Sequence, residues 1–180
     1  MRRLILPALL GTFLFSGCAK PAGSEYAGYR VAEENLSLEV PKDWRQFGAR
    51  WNGLGGAPNG PAFTRFIAES LPQHEGVILG AYISLTRVKK GADRSDLERA
   101  LFTTKLPGVE PAKFAGFEAR VYVTEYQYQI EDLSIPMRAE GVVIDAPAAY
   151  FVLEYRANSK VFEKYRADFA HAKKTFQLKT

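Results

Sequence analysis

The stretch FEARVYVTEYQY, Phe117 to Tyr128, decides the fold class. Its odd positions Phe117, Ala119, Val121 and Val123 are apolar, whereas the even ones carry Glu118, Arg120, Tyr122, Thr124, Tyr126 and Tyr128. That alternation has the period of a half-buried strand. Further strands are expected near Met137 to Asp145 and Ala148 to Arg156, with a tight turn at Ala146-Pro147 between them. Three strands in succession joined by short connections are expected to pair antiparallel with their sequence neighbours.

Working towards the N-terminus, Leu36-Ser37-Leu38-Glu39-Val40 alternates and Pro41 ends it, with Trp44 in the following turn. A strand is expected near Phe63 to Ala68 and a longer one from Val77 to Val88. In the longer one Val77, Leu79, Ala81, Ile83 and Leu85 form an apolar face opposite a mixed one holding Gly80, Tyr82, Ser84 and Thr86. The segment Trp51 to Pro61, WNGLGGAPNGP, reads as a loop because glycine and proline dominate it. Ser95 and Glu98 have capping-box spacing and open a helix to about Lys105. Beyond the last strand, Asn158 or Ser159 can cap a terminal helix whose stripe is Phe162, Tyr165, Phe169, Ala172 and Phe176. The expected architecture is an α+β domain, a twisted, mainly antiparallel sheet of about six strands with a mid-chain and a C-terminal helix packed on it.

The first 26 residues read differently. Arg2 and Arg3 precede an uncharged run from Leu4 to Phe15, too short for a membrane span of about 20 residues, which is the pattern of a secretion signal. The run closes on Leu14-Phe15-Ser16-Gly17-Cys18, which resembles the bacterial lipobox, although Phe15 stands where that motif has a smaller aliphatic residue. Cys18 is the only cysteine, so no internal disulfide competes for it. Residues 1–17 are therefore assigned as signal peptide, 18–26 as a lipidated tether and 27–180 as one domain. The lipoprotein resemblance implies acyl chains, palmitate among them, on Cys18 and a lasting hold on the membrane. Ala19 follows the cysteine rather than the aspartate associated with inner-membrane retention, so the expected address is the cell envelope, at the outer membrane facing the periplasm if the cell is Gram-negative.

Charge and motif content narrow the function. Without Arg2 and Arg3 the chain holds 22 Lys+Arg against 20 Asp+Glu, close to neutral and with both signs interspersed, which argues against nucleic acid as a partner. A hydrolase needs a nucleophile, a base and an orienting group, and the two histidines, His74 and His171, stand in no such pattern. Glu33-Glu34 and Glu131-Asp132 are adjacent, and adjacent strand residues point to opposite faces, so neither pair is a ready acid/base dyad. No metal-ligand spacing, glycine-rich phosphate loop with a Lys-Ser/Thr ending, or other cofactor motif is present, and no catalytic residue, metal or cofactor is assigned. The candidate binding surface is aromatic: Tyr82, Arg120, Tyr122, Tyr126 and Tyr128 on one sheet face, with Trp51 from the glycine-rich loop. The same tyrosines could instead pack beneath loops, with Trp44 in the core.

Three quoted segments together resemble the PsbP-like / DcrB-like superfamily: Leu36 to Trp44, its strand-Pro-x-x-Trp opening; Phe114 to Ala119, its mid-chain strand entry; and Tyr150 to Tyr155 followed by Phe162, Tyr165, Phe169 and Phe176, its last strand and helix. The resemblance covers most of residues 30–178. It implies an α/β/α sandwich and a mostly non-enzymatic role in assembly or binding, and it supplies no catalytic residues. The expected function is a membrane-anchored protein-binding or assembly module with an envelope protein as partner. A carrier of a small apolar or lipidic ligand and an enzyme with an unrecognised site stand as alternatives.

Overall fold

The computed structural model describes residues 25–47, 62–69, 80–90, 109–130 and 132–179. Two antiparallel sheets carry the chain. The larger has seven strands in the order β3-β4-β5-β9-β8-β7-β6: β3 (Arg45–Phe47), β4 (Ala62–Glu69), β5 (Ala81–Lys89), β6 (Glu110–Phe114), β7 (Phe117–Ile130), β8 (Leu133–Asp145) and β9 (Ala149–Asn158). The smaller places β2 (Leu36–Pro41) between β1 (Tyr26–Val31) and β10 (Gln177–Leu178). The single described α-helix, α1 (Phe162–Thr175), lies on β9 and β5 with β2 alongside it.

The sequential pairing of β7, β8 and β9 is as expected, and the turn at Ala146-Pro147 closes the β8–β9 hairpin. β9 then pairs with β5 along nine residues, a long-range contact that buries both strands along most of their length. Among the described residues ten strands stand where about six were expected. β1, β3, β6 and β10 escape sequence reading because they are short or lie at edges, and β6 carries Pro111, which only an edge tolerates. Tyr26, counted in the tether, opens β1. The β6–β7 hairpin turns on Ala115 and Gly116, both at positive φ, 52° and 86°, as a two-residue primed turn requires. The expected helix at 95–105 and the Trp51–Pro61 loop lie outside the described residues.

The core between the main sheet and α1 is filled by Ile83, Leu85, Leu153 and Tyr155 from the strands, Leu36 and Leu38 from β2, and Phe162 and Phe169 from the helix. Tyr155 lies 4.8 Å from the Phe162 ring and 5.7 Å from that of Phe169, and its hydroxyl donates to the Phe162 carbonyl at 2.8 Å. Trp44 belongs to this core, edge-on to Tyr165. The helix starts without a side-chain cap: the Asn158 carboxamide accepts from the Lys160 amide in the preceding turn instead. Lys173 and Lys174 sit in its last turn, where cations suit the helix dipole, and Lys173 binds Glu140 rather than only water.

Candidate functional site

The sheet face opposite α1 is built by even residues of β5, β7 and β9 and odd residues of β8, because side chains alternate and directly paired residues share a face. One row across four strands reads Ser84, Glu154, Gly141 and Tyr122; the next reads Tyr82, Arg156, Ala139 and Thr124. Gly141 explains the first row. A Cβ there would overlap the Tyr122 ring, so only glycine lets Tyr122 lie across β8 and reach Glu154. An isolated glycine inside a strand pattern marks such a close approach.

Glu154 and Arg156, both 3% exposed, form a buried ion pair two residues apart on β9. The Tyr122 hydroxyl and the Arg156 Nε donate to the Glu154 carboxylate, and the Arg156 Nη2 donates to it at 3.0 Å. Arg156 Nη1 donates to the Tyr126 hydroxyl at 3.2 Å. On the other side, the Arg65 guanidinium lies over the Phe63 and Tyr82 rings at 5.1 and 5.3 Å.

Burial sets the electrostatics of the cluster. It pushes the Tyr82 phenol up to about 12 and, with the adjacent Glu154 charge, holds Tyr122 well above the ordinary tyrosine value. Tyr126 is raised by burial as well, against the opposing effect of Arg156. For Arg156 burial favours loss of the proton, but the Glu154 charge overrides it and the guanidinium stays charged. At neutral pH the phenols are therefore protonated and Arg156 is a cation bonded to Glu154. Such a network fixes strand register and side-chain geometry, and it presents no poised nucleophile or base.

The expected tyrosine face thus divides. Tyr82 and Tyr122, at 7% and 2% exposure, are not surface residues. They are corrected to core because the face away from α1 is itself buried along the centre of the sheet, with Val143 and Val152 packed beside Tyr122. Tyr126 is half-buried and tied to Arg156. Tyr128 and Arg120 are exposed, and Trp51 lies outside the described residues. Val123, expected in the core, is 46% exposed.

Exposure on this face begins where the sheet narrows. β9 ends opposite Met137, yet β7 and β8 continue paired to Ile130 and Leu133, so the hairpin projects beyond its neighbours. Its tyrosine face carries Tyr126, Tyr128 and Ile130 against Met137, Ile135 and Leu133. Met137 and Ile135 are buried, whereas Tyr128 and Leu133 are 37% and 46% exposed. The opposite face is polar, with Gln129 and Gln127 bonded to Ser134.

A second polar cluster ties β1 and β2 to α1. The Tyr26 hydroxyl donates to Asp168 at 2.9 Å, the Tyr26 ring stacks on His171 at 3.6 Å, and His171 Nε2 lies 2.7 Å from Glu39. His171 is therefore a packing and pairing residue at the helix surface; His74 lies outside the described residues. Glu34 pairs with Arg87 at 2.8 Å. Among the described residues no group of three His, Cys, Asp or Glu could hold a metal, and no helix is long and apolar enough to cross a membrane.

Among solved structures, the chain is similar to cyanobacterial PsbP (CyanoP) from Synechocystis sp. PCC 6803, at a TM-score of 0.52 and 12% identity over 92% of this chain and 99% of that one. The fold is PsbP-like. It is a mostly antiparallel sheet with a described helix packed on it, and the resemblance read from the three sequence segments holds at the level of fold. Looser likenesses are to the Saccharomyces cerevisiae Ran-binding protein Mog1p (TM-score 0.47, 9% identity, 87% of this chain and 96% of that one) and to LpqN of Mycobacterium tuberculosis, described as involved in cell envelope biogenesis (0.38, 17%, 88% and 87%). No family model matches the chain, and no curated protein matches it significantly in sequence.

Proposed function

We propose that this PsbP-like chain is a non-enzymatic protein-binding module of the cell envelope, anchored through lipid on Cys18 and docking an envelope protein on the projecting β7–β8 hairpin. The observation that carries the reading is the exposure of Tyr128 and Leu133 on a hairpin end that continues past β9. Large apolar side chains held on a rigid ladder, one with a hydroxyl at its tip, suit a recognition surface. The cluster behind them supports the same reading, because Tyr126 is fixed by Arg156 and the hairpin face is presented in one geometry. Anchoring rests on the signal pattern and the lone Cys18.

The test is crosslinking and pull-down of the anchored protein from membranes, comparing the native chain with Tyr128→Ala plus Leu133→Ser. Both positions are exposed, so the fold should be unchanged within about 0.5 kcal/mol per site. Loss of a specific crosslinked partner from the variant is the expected result. An unchanged partner set, or none with either protein, would remove the hairpin from consideration.

A further inference from the structure

Charge is unevenly divided along this chain. From Ser159 to Thr180 there are six cations, Lys160, Lys164, Arg166, Lys173, Lys174 and Lys179, against Glu163 and Asp168, a net +4. Residues 4–158 hold the other 16 Lys+Arg and 18 Asp+Glu, a net −2. The fold sharpens the contrast. Asp168 is buried beneath Tyr26, and Glu163 is bonded to Arg138 at 3.2 Å. Arg166 and Lys173 already meet Glu140, but Lys164 and Lys174 stand exposed beside the small, exposed Ala167 and Ala170. Lys160, Lys174 and Lys179 are exposed and enter no ion pair among the described residues. The solvent face of α1 is therefore flat and basic.

Tyr26 fixes where an anchor on Cys18 reaches this surface. Its ring stacks on His171 and its hydroxyl donates to Asp168, so β1 begins against the C-terminal half of α1. Cys18 lies eight residues earlier, and eight residues reach at most about 28 Å. The other surface beside Tyr26 has the wrong sign, since residues 25–47, which carry β1 to β3, hold five carboxylates and three cations. We infer that α1 lies with its basic face on the anionic lipid headgroups of the membrane that holds the anchor. The inference rests on the lipid of the proposed function and goes beyond it by giving the domain one orientation.

Electrostatics near a bilayer are short-ranged, with a Debye length of about 8 Å at physiological salt, so only the surface that meets the headgroups counts. A Lys or Arg held there by an anionic leaflet strengthens the contact about fivefold. Lys164 and Lys174 alone then favour this orientation about twenty-five-fold over one that turns them to water. Ala167 and Ala170 hold no long side chain between those lysines and the lipid. The orientation also serves the hairpin. Tyr128 and Leu133 lie on the sheet face away from α1, so a membrane beneath α1 leaves them open to a partner.

The full chain, purified with its lipid, is reconstituted into vesicles of phosphatidylcholine alone or with phosphatidylglycerol, both carrying headgroup-nitroxide lipid. With Cys18 acylated the chain holds no other thiol, so Ala170→Cys or Glu118→Cys takes a single fluorophore. Both positions are exposed, the first on the solvent face of α1 and the second on β7, on the sheet face away from it. In anionic vesicles at low salt the nitroxide should quench the α1 label and spare the β7 label, and neutral vesicles or high salt should erase the difference. Lys164→Gln plus Lys174→Gln should lower the quenched-to-unquenched ratio of the α1 label about twenty-five-fold, and Lys164→Arg plus Lys174→Arg should keep it. Equal quenching of the two labels overturns the inference. So does quenching of the α1 label that ignores both lipid charge and the glutamine pair. Flotation with neutral vesicles tests the anchor alone: a chain that floats and fails the quenching test keeps its anchor and loses this orientation, and one that does not float loses both.

Discussion

The Tyr122 hydroxyl donates to the Glu154 carboxylate across β8, passing over Gly141. Three strands are pinned by this one bond, since Tyr122 lies on β7, Gly141 on β8 and Glu154 on β9. A methyl group at position 141 cannot be accommodated without moving the ring. Gly141→Ala should destabilise the domain by about 1–3 kcal/mol, the usual cost of overpacking, despite alanine's better strand propensity. Urea denaturation checks this, and Gly141→Ala combined with Tyr122→Ala should cost less than the sum of the two single changes. Full additivity would mean that the ring does not occupy the space above the glycine.

Glu154 and Arg156 make a second prediction, motivated by their burial as a hydrogen-bonded pair. Removing one member strands the other's charge in a dry environment, which costs about 3–5 kcal/mol. Glu154→Gln and Arg156→Met should each lower stability at pH 7 by an amount in that range. The double variant Glu154→Gln plus Arg156→Met should recover much of the loss. A double variant as unstable as the two losses combined would show that the pair contributes more than charge compensation.

Acid sensitivity should trace to Glu140. Burial works to raise its pKa, but hydrogen bonds and charge from Lys173 and Arg166 of α1 outweigh it and hold the carboxyl below the ordinary 4.5. A group with a depressed native pKa contributes stability that is present above the unfolded-state value and is lost as pH falls through the native one. Glu140→Gln should therefore be less stable than the native chain at pH 7, and the gap should close as pH drops below about 4.5. Thermal melts from pH 7 to pH 3 measure it. A gap that stays constant to pH 3 would mean that the ion pairs of α1 do not depend on this carboxylate's charge.

The proposed anchor predicts that Cys18→Ser leaves the precursor without lipid, since Cys18 is the chain's only thiol. Labelled fatty acid should be incorporated by the native chain and absent from the variant. Incorporation into the serine variant would end the lipoprotein reading, while the hairpin would be untouched.

Much of this molecule was legible before any coordinates. Period-two alternation set β2, β5 and β7, because a strand with one face on a core places apolar residues at every second position, and β4, β8 and β9 read as strands beside them. Spacings of three and four set α1, and the order of three short motifs was enough to indicate the PsbP-like fold. The presence of tyrosines on one face of β7 was also plain. Which of them meet water was not. Burial of Tyr82 and Tyr122 depends on β9 entering beside β5, on Glu154 and Arg156 arriving opposite Ser84 and Tyr82, and on a glycine across β8 from Tyr122. Those are pairings between residues as many as 74 positions apart, and local periodicity carries no information about them. The exposed end of the hairpin has the same origin: β7 and β8 outrun β9 and β6, and only the assembled sheet sets where one strand stops beside another.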